Sequence, residues 1–424
     1  MNYEETIDYL YSCHPAFERM GAGAYKPGLE TSVKLDNAFG NPHRKYPTIH
    51  IAGTNGKGST AHTLAAVFQS AGYKTGLYTS PHLFDFRERI RVDGKKIDKD
   101  YVVSFIERYM SLRLDLHPSF FELTMTMAFE WFAHMKVEVA IIETGLGGRL
   151  DSTNIIRPEL SIITNISKDH TAFLGDTLTA IAGEKAGIIK PGIPVVVGEA
   201  DGEVRQVFID KATEQNSRIA FAEPVDAVSH ENFIIYPHTI FGELRGELTG
   251  DYQVKNTATI LAALRILSSK YSKITDKAVA NGFSNVVELT GLMGRWTKIS
   301  DNPTIIIDTG HNEGGWRYIA RQMQTRPGKR HIIAGFVNDK DVDSILKLIS
   351  GIDNTSLYLT QPQVERALPV EELSAKAASL GLNASSYKNL ADALVSAKSA
   401  AGNSDTILIA GSNYLISELK DYFQ

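Results

Sequence analysis

Cysteine is nearly missing: Cys13 is the one thiol in 424 residues. A single cysteine excludes an intrachain disulfide and any multi-thiolate zinc site, and it suits a reducing compartment. Long apolar runs are missing too, since no stretch approaches the roughly 20 residues needed to span a bilayer. The N-terminal MNYEETIDYLYSCHPAFERM carries acids inside an amphipathic helical pattern and lacks the basic-then-apolar order of a signal peptide. A cytoplasmic protein with no membrane partner is the expectation. There is no excess of positive charge either, because 44 Lys and Arg stand against 49 Asp and Glu, a formal net charge of -5. Bulk attraction to nucleic acid is thereby excluded, and any polyanion must be met by a local cluster. Repeats, low-complexity tracts and heptad runs are also absent.

What is present is an alternation. Short β-branched runs (TIHIA, KTGLYTS, VEVAIIE, LSIITNI) are separated by helical patterns such as STAHTLAAVFQSAG, which predicts a mostly parallel sheet with helices on both faces. In such a sheet the loops at the strand C-termini carry the chemistry. Residues 218 to 250 change character, and NFIIYPHTIFGEL reads as a small antiparallel ribbon appended to this domain. TGLMGRW then breaks the pattern as a hinge at about 291–297. TIIIDTG, HIIAGFV, SLYLT and DTILIAG begin a second, smaller α/β alternation. At this length a single core is unfavourable. The predicted organisation is a large domain over 1–296 and a smaller Rossmann-like one over 297–424.

The most informative stretch is GTNGKGS, placed between a strand and a helix. Gly53, Thr54, Asn55, Gly56, Lys57, Gly58 and Ser59 fit a turn whose backbone amides and helix dipole receive a phosphate. The spacing departs from the usual G-x-x-x-x-G-K-[ST], because Gly58 separates Lys57 from Ser59. The alternative is a plain tight turn. In the phosphate reading Lys57 meets the β- and γ-phosphates and Ser59 offers a hydroxyl to Mg²⁺.

Other strand ends carry further candidates. Ser80 and His82 flank Pro81, and Arg87, Arg89 and Arg91 follow, either as a solvated loop face or as a grip on substrate carboxylates. Glu143 ends a strand that otherwise reads as buried, a costly place for an acid unless it binds a cation. Asp169 and His170 end the next strand; oxygen donors with one imidazole suit Mg²⁺ or Mn²⁺ rather than zinc. Lys185 lies beside Glu184 in an apolar helix and reads as an ion pair or a snorkelling stem. Asp308 and His311 end a buried strand of the smaller domain, while Asn256 and Arg295 are single polar candidates.

Taken in order, GTNGKGS, TSPHL with ERIRV, ETGLGGRLDSTN, SKDHTAFLG, IAGEKAGIIKPG, GRW, DTGHN and GSNYL resemble the folylpolyglutamate synthase and dihydrofolate synthase family within the Mur ligase superfamily. The resemblance runs over nearly the whole chain. It implies an ATP-dependent amide ligase that adds L-glutamate to dihydropteroate and to reduced folates through an acyl phosphate. The alternatives are a monofunctional folylpolyglutamate synthase and, further off, another Mur-type amide ligase. The resemblance also implies two Mg²⁺ sites built from Ser59, Ser80, Glu143 and His170, a monovalent cation, and a carbamylated Lys185. Asn256, Arg295, Asp308 and His311 would contact ATP; Phe121, Asp151 and Ser152 would contact the pterin, and Ser80, His82 and Arg89 would be further substrate residues. Partners would be small molecules and the chain a monomer. Three places depart from the family pattern: Tyr252 replaces a frequent histidine, Met293 a frequent proline, and DTGHN the commoner D-x-A-H-N.

Overall fold

The computed structural model describes residues 1–15 and 28–423. By contacts the chain forms two compact units. Met1–Ile166, Thr171–Glu247 and Gln253–Leu292 make the first; Ser167–His170, Leu248–Tyr252 and Met293–Gln424 make the second. Two short stretches ahead of the hinge therefore group with the C-terminal unit, which a single cut in the sequence does not anticipate. The N-terminal pattern forms the helix Tyr3–Cys13, closed by a capping box between Asn2 and Glu5. Residues 16–20 of that pattern lie outside the described residues. Among the described residues no helix is long and apolar enough to cross a membrane.

In the first unit β1 (Thr48–Ala52), β2 (Thr75–Tyr78), β3 (Ile90–Val92), β4 (Lys95–Lys96), β5 (Val139–Glu143), β6 (Leu160–Asn165), β7 (Val195–Glu199) and β8 (Ile219–Phe221) form one sheet. Its order is β4-β3-β2-β5-β1-β6-β7-β8. β1 pairs in parallel with β5 and β6, β2, β7 and β8 extend the parallel part, and β3 and β4 finish one edge antiparallel. The central strands read as unbroken apolar runs because both faces are covered. Val139 and Ile141 enter a core with Leu64 and Phe68 of the helix Lys57–Ser70, and with Ile260 and Leu264 of the helix Gln253–Leu267. Ala140 and Ile142 enter another core with Met125 and Phe129 of the helix Phe120–Met135. Each fully buried aliphatic side chain contributes roughly 1.5–3 kcal/mol, and a one-residue slip would exchange the two cores, so the register is strongly set.

The antiparallel ribbon is smaller than its sequence suggests. β9 (Val228–Ser229), β10 (Ile234–Thr239) and β11 (Gly242–Gly246) form it, whereas Ile219–Phe221 leaves it to pair in parallel with β7. The helix Gly202–Glu214 before those residues supplies the crossover that parallel pairing needs. In the second unit β12 (Thr297–Asp301), β13 (Thr304–Asp308), β14 (Arg330–Ala334), β15 (Thr355–Leu359), β16 (Ala384–Ser386) and β17 (Thr406–Ala410) are ordered β12-β13-β17-β14-β15-β16. Only β12 runs antiparallel. Trp316, Phe336, Ile345 and Leu373 lie in this unit's core.

Candidate active site

Parallel pairing delivers four strand ends to one edge of the first unit's sheet. Gly53 follows β1, Ser80 follows β2, Glu143 closes β5 and Asn165 closes β6. The turn after β1 is moulded onto the end of β6. Thr54 donates its amide to the Asn165 carbonyl at 2.9 Å, Asn55 donates to Asn165 Oδ1 at 2.9 Å, and the Thr164 hydroxyl donates to the Asn55 carbonyl at 2.6 Å. Gly53 at φ 148 and Gly56 at φ 83 hold conformations that favour glycine. A Cβ at Gly53 would collide with the Thr164 hydroxyl, and one at Gly56 with the Asn256 amide. The helix Lys57–Ser70 starts from Gly56 with no side chain capping its N-terminus. Its first-turn amides and dipole are therefore directed at the turn, an arrangement suited to an anion.

Two amines meet at this turn. Lys57 Nζ folds back to donate to the carbonyls of Gly53 at 3.2 Å and Thr54 at 3.3 Å. Lys185, 3 % exposed in the last turn of the helix Leu178–Ala186, donates to the same Gly53 carbonyl at 2.9 Å. Of the readings open for Lys185, the ion pair with Glu184 is not the one that forms: Glu184 pairs with Arg149 at 2.8 Å. Adjacent residues of a helix point to different sides, so Glu184 and Lys185 serve different neighbours.

Ser59 is buried, and its hydroxyl accepts from Gln253 Nε2 at 3.1 Å; Gln253 Oε1 in turn accepts from Asn256 Nδ2 at 2.8 Å. Gln253, which was not among the sequence candidates, links two of them, Ser59 and Asn256. Its spacing of three from Asn256 at the start of a helix was the available signal, since i and i+3 share a face. Glu143, 3 % exposed, accepts from the Ser80 amide at 3.3 Å. Ser59, Ser80 and Glu143 thus offer hard oxygen donors along one edge, which fit Mg²⁺ or Mn²⁺. Among the described residues no group of three or more His, Cys, Asp and Glu is arranged to hold a metal. An ion there would complete its coordination from substrate phosphates and water.

The three arginines separate into different roles. Arg87 pairs with Asp85 at 2.8 Å, and Arg91 donates to the Gly94 carbonyl at 3.0 Å. Arg89, 2 % exposed, donates to His82 Nδ1 at 2.8 Å and lies 5.2 Å from the centre of the Phe120 ring. Burial is the main force lowering the His82 pKa. A neutral imidazole accepting from a guanidinium follows. Asp151 organises the glycine-rich loop: Oδ2 accepts from the amides of Gly145 and Leu146, both at 2.8 Å, and Oδ1 from the amide and hydroxyl of Thr153. Burial still raises its carboxyl above the ordinary range. Ser152 opens the short helical turn after it, and the Phe121 ring lies against Gly145, where no Cβ would fit.

A separate cleft of about 530 Å³ is lined by Arg149, Lys190, Lys211 and Glu214 among others. Two of its cations are matched by acids, Arg149 with Glu184 and Lys211 with Glu214, so it is electrostatically unlike the phosphate turn.

The remaining predicted residues belong to the second unit. Asp169 accepts from Lys340 at 2.6 Å and Asn312 at 3.1 Å, and faces His311 Nε2 at 3.3 Å. Burial opposes its ionisation, but Lys340 and the histidines outweigh that and hold the carboxyl well below the usual range. His170, at φ 51, is pushed down to about 3 by burial. Asp308 closes β13 and is buried, and Arg295 donates to Thr309 and to the Gly294 carbonyl.

Residues 51–264 match the Mur ligase middle domain and residues 294–413 the Mur ligase glutamate ligase domain. The sequence is similar to a Bacillus subtilis dihydrofolate synthase/folylpolyglutamate synthase, 32% identical over 93% of this chain and 94% of that protein. The fold is similar to E. coli FolC in complex with DHPP and ADP, with a TM-score of 0.84 at 28% identity, covering 100% of this chain and 98% of that one. It is also similar to a bifunctional folylpolyglutamate synthase/dihydrofolate synthase with Mn, AMPPNP and L-glutamate bound, with a TM-score of 0.83 at 28% identity and coverage of 100% and 98%.

Proposed function

The chain belongs to the dihydrofolate synthase/folylpolyglutamate synthase family of Mur ligases, and from that premise we propose how its residues divide the work. It is an ATP-dependent ligase that forms a carbon–nitrogen bond, joining L-glutamate to dihydropteroate and to reduced folylglutamates. A carboxylate is a poor acyl donor because its leaving group would be oxide. Transfer of the γ-phosphoryl group of ATP to the carboxylate gives an acyl phosphate and ADP. The glutamate amine then attacks the acyl carbon, phosphate leaves, and the amine loses a proton. Phosphoryl transfer is chiefly positioning and charge neutralisation, so a site without a protein nucleophile is chemically sufficient.

The observation that carries the assignment is the convergence of Lys57 and Lys185 on the Gly53 carbonyl, inside a turn flanked by buried Ser59 and Glu143. Lys57 and the first amides of its helix take the β- and γ-phosphates. Ser59, Ser80 and Glu143 would hold Mg²⁺, which when bound would neutralise phosphate charge. Lys185 acts as its carbamate: the ammonium first loses a proton, the free amine adds to CO₂ and releases a second, leaving an N–H that still reaches the Gly53 carbonyl. That step removes the repulsion between two ammonium groups at one oxygen and places an anion where cations are needed. Asn256 in the first unit, and Arg295, Asp308 and His311 in the second, are the candidate nucleotide contacts, and a monovalent cation would complete the ion set. Phe121, Asp151 and Ser152 contact the pterin and His82 and Arg89 the rest of the substrate, Asp151 also holding its own loop. A reducing cytoplasm suits the free, exposed Cys13, and the chain acts as a monomer.

Phosphate release by the purified protein, with ATP, Mg²⁺ and L-glutamate, tests this reading when dihydropteroate, tetrahydrofolate and no acceptor are compared. Release with both acceptors is the expected result. Release with tetrahydrofolate alone would reduce the activity to folylpolyglutamate synthesis, and silence with both would overturn the assignment.

A further inference from the structure

Three donors surround the buried Asp308 carboxylate. The Gly310 amide donates to Oδ1 at 2.7 Å, the Trp296 amide to Oδ2 at 2.8 Å, and the Tyr252 hydroxyl to Oδ2 at 2.6 Å. The first two are backbone groups that any residue would supply. The third is a side chain from a segment far off in sequence, and that segment is fastened to its own unit. Gln322 accepts from the Asp251 amide and donates to the Thr249 carbonyl, both at 2.9 Å, and Arg321 meets the Asp251 carboxylate at 3.1 Å. The Tyr252 ring lies on Gly250, where a Cβ would strike it, and meets Tyr318 edge-on at 6.4 Å. Ring and hydroxyl are therefore both held in place. With two donors on Oδ2 and one on Oδ1, an acceptor position remains on Oδ1.

We infer that Tyr252 is a positioning residue for nucleotide binding: its hydroxyl holds the Asp308 carboxylate so that Oδ1 is presented to a sugar hydroxyl of the nucleotide. This rests on the reading of Asp308 as a nucleotide contact. Burial alone drives Asp308 toward the neutral acid, and the Tyr252 hydrogen bond is the largest opposing influence. An ionised carboxylate is the stronger acceptor for a hydroxyl, so the tyrosine supports both the orientation and the charge of Asp308.

Tyr252→Phe keeps the ring on Gly250 and removes only the donor. ADP and 2′-deoxyADP affinities would be measured by titration calorimetry on the full chain, beside kcat at saturating ATP. The expected result is ADP binding weaker by about fivefold to twentyfold, a smaller preference for ADP over 2′-deoxyADP, and kcat within about twofold of wild type. A role in folding alone would not change the sugar preference. In an Asp308→Asn background Tyr252→Phe should have little further effect on ADP affinity, because the two act as one unit. An unchanged ADP affinity, or an equal loss in both backgrounds, would overturn the inference. Absence of ADP binding by the unsubstituted protein would instead remove the ligase reading on which it rests.

Discussion

Gly56→Ala asks whether the phosphate turn is built by steric necessity. Gly56 sits at φ 83, and placing a Cβ in the left-handed region costs about 1–2 kcal/mol. The new methyl group would also enter the space of the Asn256 amide. Asn256 is 5 % exposed and has no easy escape to solvent. Moving it breaks its 2.8 Å hydrogen bond to Gln253 and frees Gln253 from its fixed orientation toward Ser59. A net loss of about 1 kcal/mol is reasonable for one such bond, which brings the expected cost to roughly 2–3 kcal/mol. Urea denaturation followed by circular dichroism would read the stability, and ADP titration the site. The midpoint should fall and ADP affinity should drop by about tenfold, since the loss reaches the turn itself. Combining Gly56→Ala with Asn256→Ala removes the collision and keeps the backbone strain, so the double variant should be more stable than additivity predicts by about 1 kcal/mol. Gly183→Ala is the control: it meets nothing within 4 Å in a helix, and should be neutral or stabilising by up to about 1 kcal/mol. Wild-type stability and ADP affinity in Gly56→Ala would refute the reasoning.

Lys185→Met should leave a folded protein and lower phosphate release by at least about a hundredfold, a loss of roughly 3 kcal/mol in transition-state stabilisation; turnover near wild type would remove both the lysine and its carbamate from the mechanism. Glu143→Gln keeps the shape and removes the charge, so Mn²⁺ binding read by electron paramagnetic resonance should weaken by more than about tenfold, and unchanged binding would place the ion elsewhere. His50 is held neutral, its pKa lowered to about 3 from 6.5 by burial and then by Lys190. Above pH 6.5 both folded and unfolded imidazole are neutral and no stability is lost. As pH falls below that value the unfolded chain binds a proton that the folded one refuses, costing about 2 kcal/mol by pH 5 and more toward pH 3. His50→Gln retains a donor for Thr153 and should flatten the decline in stability between pH 7 and pH 5; identical slopes in the two proteins would contradict this account.

Much of this was legible in the sequence because it depended on local pattern. The strands TIHIA and VEVAIIE, the helix after GTNGKGS and the smaller α/β alternation are periodicities that neighbouring residues enforce. Partner choice was less legible. Lys185 and Glu184 looked like an ion pair because they are adjacent, yet helical geometry sends one to the Gly53 carbonyl and the other to Arg149. Ile219–Phe221 looked like ribbon because it is short and apolar, and only its pairing with β7 distinguishes it from β9. The three arginines looked like one patch, but each meets a different acceptor. Asp151, a candidate substrate contact, also accepts from donors of its own loop, which its sequence position does not announce. Such outcomes are decided by which groups arrive from distant segments, and spacing along the chain does not encode that.

Gln253 shows how an unremarkable amide can orient the hydroxyl of a proposed metal donor. A serine oxygen has two acceptor positions and one proton. Gln253 Nε2 fills one acceptor position on Ser59, and it can do so only with its carbonyl oxygen turned toward Asn256 Nδ2. Asn256 thus fixes the amide, the amide orients the hydroxyl, and a lone pair of Ser59 is left over for the cation proposed there. The residue before Gln253 is Tyr252, whose hydroxyl holds Asp308. Consecutive residues therefore anchor a proposed metal donor in one unit and a proposed nucleotide contact in the other, and a single peptide bond joins the two anchors in the covalent chain. A substitution at 252 or 253 is then poorly described by the contacts of one side chain alone, because backbone displaced at either residue is inherited by its neighbour.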